Sequence, residues 1–177
     1  MRVPSDIKRI RCVPIVLLAI TMFGSAQAAD SPFAAGVRSA DPQSPSDQQA
    51  SFELPEGFEI ELVASEPDVA KPMNLAFDTR GRLWVTDSYE YPFAAPLDRP
   101  GKDAIKVFED TTGDGHYDQM TKFAEGLNIP IGLYPYKNGV VAWSIPYISY
   151  FEDTDNDGRS DKQTKLYGPL GYERDTH

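Results

Sequence analysis

The chain reads as all-β, and three observations say so. Beyond position 50 its apolar residues come in short runs separated by Gly, Pro, Asn and Asp, and no segment there shows a helical period. A turn signal, Asp78-Thr79-Arg80-Gly81, and a hairpin signal, Asn138-Gly139, each fall between two such runs. An acidic nonapeptide occurs twice, 43 residues apart: Asp110-Thr-Thr-Gly-Asp-Gly-His-Tyr-Asp118 and Asp153-Thr-Asp-Asn-Asp-Gly-Arg-Ser-Asp161. Phe-Glu precedes each copy, and Thr121-Lys122-Phe123 or Thr164-Lys165-Leu166 follows it. A period near 43 suits one blade of a β-propeller. The expected architecture is therefore a partial propeller of about two and a half blades.

The elements follow in order. Phe58 to Ala64 alternates apolar and acidic residues and predicts a strand. A second strand, Arg82 to Asp87, follows the Asp78–Gly81 turn, and Lys106-Val107-Phe108 leads into the first acidic loop. Pro130 to Tyr136, Val140 to Ile145 and Tyr147 to Phe151 repeat that order and lead into the second. Measured from Pro72 and Pro130, the first unit holds an insertion of about 15 residues, largely Tyr89 to Asp103. Its Pro and aromatic residues predict a surface loop, the kind of segment that carries function on a rigid scaffold. Tyr134, Tyr136, Trp143, Tyr147 and Tyr150 are read as sheet and inter-blade packing. Residues 51–177 are too few to close a ring of four or more blades, so the amino-terminal fragment of a larger ring is expected.

Upstream, residues 1–28 read as a secretory signal peptide: Arg2, Lys8, Arg9 and Arg11, then apolar Val13 to Gly24, then Ala26-Gln27-Ala28. The apolar run is too short to span a bilayer as a helix, so no stable membrane span is expected after signal removal. Residues 29–50, with Pro32, Pro42 and Pro45 among Ser, Gln and Asp, read as a disordered linker. This organisation predicts a secreted or periplasmic protein. The single cysteine, Cys12, lies inside the signal, so the mature chain has no disulfide to brace it. The formal charge is −10, and signal removal makes the remainder about 3 more negative. Such a charge, with no basic stripe, argues against a nucleic-acid partner.

Oxygen ligands at alternate positions around a glycine turn are the chemistry of a hard cation. In the second loop Asp153, Asp155 and Asp157 stand at positions 1, 3 and 5, Gly158 at 6, Arg159 offers a carbonyl at 7, and Asp161 stands at 9. In the first loop the corresponding residues are Asp110, Thr112, Asp114, His116 and Asp118, one carboxylate fewer, and weaker binding is expected. Position 12 of the second loop is Thr164 and the flanks read as strands, so a helix-opening calcium sensor is disfavoured. Calcium in a structural role is the expected cofactor; the bland alternative is an acidic turn without an ion. Signatures of phosphate loops, serine-hydrolase elbows and zinc pairs are missing, and only His116 and His177 are present.

The run Gly126-Leu-Asn-Ile-Pro-Ile-Gly-Leu-Tyr134, Asn138-Gly139-Val140, Phe151 to Gly158 and Asp175-Thr176-His177 carry a likeness, as do Leu54-Pro-Glu-Gly-Phe58, Leu62-Val-Ala64 and Gly81-Arg-Leu-Trp-Val85. Together they resemble the amino-terminal part of the secreted "membrane-bound dehydrogenase" propellers of planctomycetes, which are similar to glucose and sorbosone dehydrogenases. The resemblance implies a calcium- and pyrroloquinoline quinone-dependent oxidation of a sugar or alcohol, with electrons passing to a cytochrome c-type haem domain downstream. It also implies a histidine general base, for which His177 is the matching residue, with Arg174 or Asp175 as aids. No Cys-x-x-Cys-His occurs, so this chain is expected to bind no haem, and the fragment alone is expected to be inactive. A second expectation comes from a different class: a non-catalytic extracellular propeller that binds glycans or protein.

Overall fold

The computed structural model describes residues 41–96 and 98–171. The signal segment, most of the linker and His177 lie outside the described residues. One helix, α1 (Pro45–Ala50), precedes eight strands: β1 (Pro72–Phe77), β2 (Leu83–Asp87), β3 (Asp103–Glu109), β4 (Gln119–Leu127), β5 (Ile131–Tyr136), β6 (Gly139–Ser144), β7 (Tyr147–Glu152) and β8 (Lys162–Tyr167). They form two four-stranded antiparallel sheets, ordered β1-β2-β3-β4 and β5-β6-β7-β8. The protein is all-β, as its punctuated apolar runs predict.

Two expectations are corrected. Phe58 to Ala64 is not a strand, because no neighbouring strand pairs with its backbone. It crosses the front of the first sheet instead, where Val63, Ala64 and Val69 pack on Leu83, Val85 and Phe108. The expected half unit is thus a strap, and the described repeat is two whole sheets. In the second correction, α1 falls within the segment read as a disordered tether. It is set by a cap: the Ser44 hydroxyl accepts the Asp47 N–H at 3.1 Å, and Pro45 suits the first turn. None of its residues is buried, so it left no apolar period.

The two sheets share a register. Trp84 opposes Val107 as Val141 opposes Tyr150, and each last strand carries a bulge at the same place, at Phe123 and at Leu166. The main core lies between the sheets. Trp84, Ile105, Val107 and Phe123 of the first meet Val140, Ala142 and Phe151 of the second. Trp84 and Phe123 meet edge-on with centroids 4.7 Å apart. Trp84, Ile105 and Val140 are almost fully buried, and each such side chain contributes about 1.5–3 kcal/mol. Tyr134 and Tyr136 lie on the outer face of the second sheet, away from this core; they are 67% and 46% exposed, and Tyr136 meets Tyr150 edge-on with centroids 5.8 Å apart.

The β5–β6 hairpin turns through Lys137 and Asn138, one residue earlier than the Asn-Gly signal suggests, with Lys137 at φ +52°. Gly139 is needed for a different reason. A Cβ there would lie 1.9 Å from the Phe151 carbonyl oxygen, so β6 approaches β7 too closely for any side chain.

Polar anchors fix the ends of the first sheet. Asp87 and Lys106 form a buried pair at 2.6 Å; Asp87 also accepts the Ala70 and Lys71 N–H groups, and Lys106 donates to the Asp68 carbonyl. The strap is therefore tied to β2 and β3 by a fully desolvated charge pair. Asp103, also buried, accepts from the Ser88 hydroxyl and from the backbone of Tyr89, Glu90 and Ile129 at 2.6–2.9 Å. It closes the insertion, which runs from Ser88 to Lys102, and holds Ile129 at φ +47°, a conformation that β-branched residues rarely adopt. The Asn128 side chain pairs with both backbone groups of Ala95 and completes that end.

Candidate metal centre

In an antiparallel meander the β1–β2 and β3–β4 connections share one end, and the β2–β3 connection lies at the other. Both acidic loops and the Asp78–Gly81 turn therefore sit at one end, and the aromatic insertion at the opposite end. The loops are built alike. Asp110 accepts the Gly113 and Gly115 N–H groups at 2.6 and 2.8 Å; Asp153 accepts those of Asn156 and Gly158 at 2.7 and 2.9 Å. Gly115 and Gly158 take φ of +93° and +87° at the sharp turn, which is why position 6 is glycine in both. Asp114 accepts the His116 N–H, and Asp157 that of Arg159. Asp118 clasps the backbone and hydroxyl of Thr111, and Asp161 does the same to Thr154. The Thr154 hydroxyl, first among its partners, holds the Asp161 carboxyl below its ordinary pKa; the Gly115 and Gly113 N–H groups do so for Asp110.

The difference is at position 3. In the second loop one carboxylate oxygen each from Asp153, Asp155 and Asp157 lies within 4.8 Å of the other two. Two oxygens on one calcium are at most about 5 Å apart, given Ca–O distances of ~2.3–2.6 Å, so this spacing fits a single ion. Asp153 is buried at the base of the group, while Asp155 and Asp157 are exposed. Among the described residues, no such group of carboxylates or imidazoles forms in the first loop, where Thr112 replaces the third acid. Thr112 instead turns its hydroxyl to Asp110. Asp161 and Asp118 stand apart as clasps. His116 is exposed, its Nδ1 2.8 Å from Glu61 Oε1 of the strap, and that carboxylate raises the imidazole pKa.

The second loop also touches the first sheet. The Ser160 N–H donates to the Phe123 carbonyl at 2.6 Å, reaching the β4 bulge. The Asn138 amide donates to the Asp153 carbonyl and its oxygen accepts the Tyr150 hydroxyl, so the β5–β6 turn supports the loop from beneath. Beside the three carboxylates a polar cleft of about 240 Å³ opens between the sheets, with Arg80 and Arg82 on one wall and Asp153 and Asp157 on the other. Neither the clasping threonines nor the support that Asn138 gives the loop is expected from the sequence. The threonines were legible in principle, since Thr occupies the second position of both copies. Asn138 was read only as a turn residue.

The fold and site define an all-β protein of two stacked four-stranded meanders with paired acidic loops at one end. The chain belongs to the family described as Domain of unknown function (DUF7133), whose model matches residues 44–177. No curated protein and no solved structure matches the chain.

Proposed function

We propose that the two sheets are consecutive blades of a secreted, calcium-binding β-propeller related to quinone-dependent sugar or alcohol dehydrogenases. One observation carries the architectural part. Two meanders of the same register, bulge and loop lie face to face, with inner strands β1 and β5 adjacent, as successive blades around an axis would. In this reading the ion is held by Asp153, Asp155 and Asp157, with further oxygen from the Arg159 carbonyl. The charge of the ion offsets three acids crowded at one turn, and the loop then keeps its hydrogen bond to the neighbouring blade. The position of the loop, away from the insertion, supports a structural rather than a catalytic ion.

The dehydrogenase part rests on the resemblance of the motif set. Bound quinone would supply the hydride acceptor. The residues described carry no set that the resemblance assigns to it, and His177, the implied base, lies outside them, so no step is derived through that group. The test is dye-linked oxidation of a broad panel of sugars and alcohols by the full-length gene product supplied with pyrroloquinoline quinone and calcium. Turnover that disappears in His177→Ala supports the reading. No turnover, together with retention on immobilised glycans, replaces it with the non-catalytic binding module.

A further inference from the structure

We infer that the outer face of the second sheet is the seat of a further four-stranded blade of this same repeat. This rests on the blade reading above and not on the dehydrogenase chemistry. The argument is internal to the molecule, because the first sheet has the same face and shows what covers it. By register, Trp84, Val107, Ile105 and Phe123 correspond to Val141, Tyr150, Ile148 and Leu166. The first four are buried under the second sheet. The second four face outward, where Val141, Ile148 and Tyr150 are only partly covered and Leu166 is 53% exposed.

The exchange between the two sets keeps one large and one small residue on the rung. In the first sheet the aromatic residue is on the second strand and valine opposes it; in the second sheet valine is on the second strand and the aromatic residue opposes it. An interlocking face pairs one large and one small apolar residue on the same rung, and Tyr150 keeps that pairing while its hydroxyl donates to Asn138 at the acidic end. The bulged position stays apolar as well, Phe123 in one sheet and Leu166 in the other.

The occupant must present what the second sheet presents to the first: small and flat at Val140 and Ala142, with one aromatic residue at Phe151. An intact second copy of this chain does not offer such a face. Its second sheet is covered on that side by its own first sheet, and its first sheet by its own Val63–Val69 strap. The occupant is therefore a blade that follows the same pattern.

The experiment is a tandem chain in which residues 128–171 are repeated once after Gly171, compared with the 177-residue chain by thermal unfolding and sedimentation. A single cooperative transition more than about 5 °C above that of the parent is expected. Ile148→Lys in the first copy should abolish that rise yet leave the parent's midpoint within about 1 °C. A second tandem carrying Val141→Trp and Tyr150→Val in the first copy reproduces the face already known to accept this blade. A rise in that chain alone means the natural face is not built for a blade, and the inference fails. Failure of both tandems to fold also overturns it, as does a parent chain that sediments as a dimer dissociated by Ile148→Lys.

Discussion

The two sheets are two renderings of one unit, and their differences lie in three places. At the face toward the amino terminus, the first sheet carries the buried Asp87–Lys106 pair, while the second has Ser149 at the position equivalent to Lys106. At the opposite face the first sheet is sealed and the second is open. At the acidic end the second loop gathers three carboxylates and the first gathers none, although the two loops share the same backbone hydrogen bonds. The backbone design and the chemistry mounted on it are therefore separable. The loop fold uses the first, fifth and ninth aspartates and the glycine, which both copies share; the metal group needs an acid at the third position as well.

The contrast breaks most sharply at the buried pair. Lys106→Met should cost about 3–5 kcal/mol in urea unfolding, because it leaves the Asp87 carboxylate buried without its cation. Ser149→Ala, its counterpart, should cost about 1 kcal/mol, the worth of one ordinary hydrogen bond. Comparable losses in the two variants would mean that the strap is not anchored by charge. Next comes the seam. Ile105→Ala should cost about 2–5 kcal/mol and Ile148→Ala well under half of that, measured on the same unfolding curves.

The metal comparison has a smaller effect and depends on concentration. Calcium at about 100 times its dissociation constant should stabilise the chain by ~2.7 kcal/mol, read as a rise in Tm. Asp155→Thr, which makes the second loop resemble the first, should remove most of that rise, and Thr112→Asp should enlarge it. A rise unchanged by Asp155→Thr would place the ion elsewhere. The smallest effect is the His116–Glu61 contact. Because Glu61 raises the folded-state pKa of His116, the contact contributes below the unfolded value and is lost as pH rises through the folded one. In calcium-free buffer, an NMR titration should give His116 a pKa above 6.5, and Glu61→Gln should lower it, with Asp114 and Asp110 still holding it up.

Repetition made much of this legible. The 43-residue spacing located both loops, and the strands leading into them, at Lys106 to Phe108 and Tyr147 to Phe151, lie where the sequence puts them, as does Arg82 to Asp87. What escaped depends on partners distant in the sequence or on a single cap. Phe58 to Ala64 has the alternation of a strand, but a strand is a relation between two segments, and no partner lies beside it. The helix at Pro45–Ala50 is held by its cap and has no face to bury. The clasping role of Asp118 and Asp161 is a matter of distance to Thr111 and Thr154, which spacing alone does not disclose. The role of Gly139 was hidden in the same way, since its demand comes from the carbonyl of Phe151, twelve positions away.

One carboxylate, that of Asp103, defines what an engineer would call a cassette. It gathers the start of the insertion and the link to the second sheet onto two oxygens, and Asn128 on Ala95 and Glu90 on Arg99 and Lys102 hold the route of the chain between them. With Ser88, Asp103 and Asn128 retained, the exposed tip around Phe93 is open to substitution without disturbing either acidic loop at the far end, whereas buried Ala95 and Gly101, whose Cβ would strike the Leu127 carbonyl, are not. The same separation would let the tip of the insertion, where Phe93 is 80% exposed, diverge among relatives faster than the sheets that carry it.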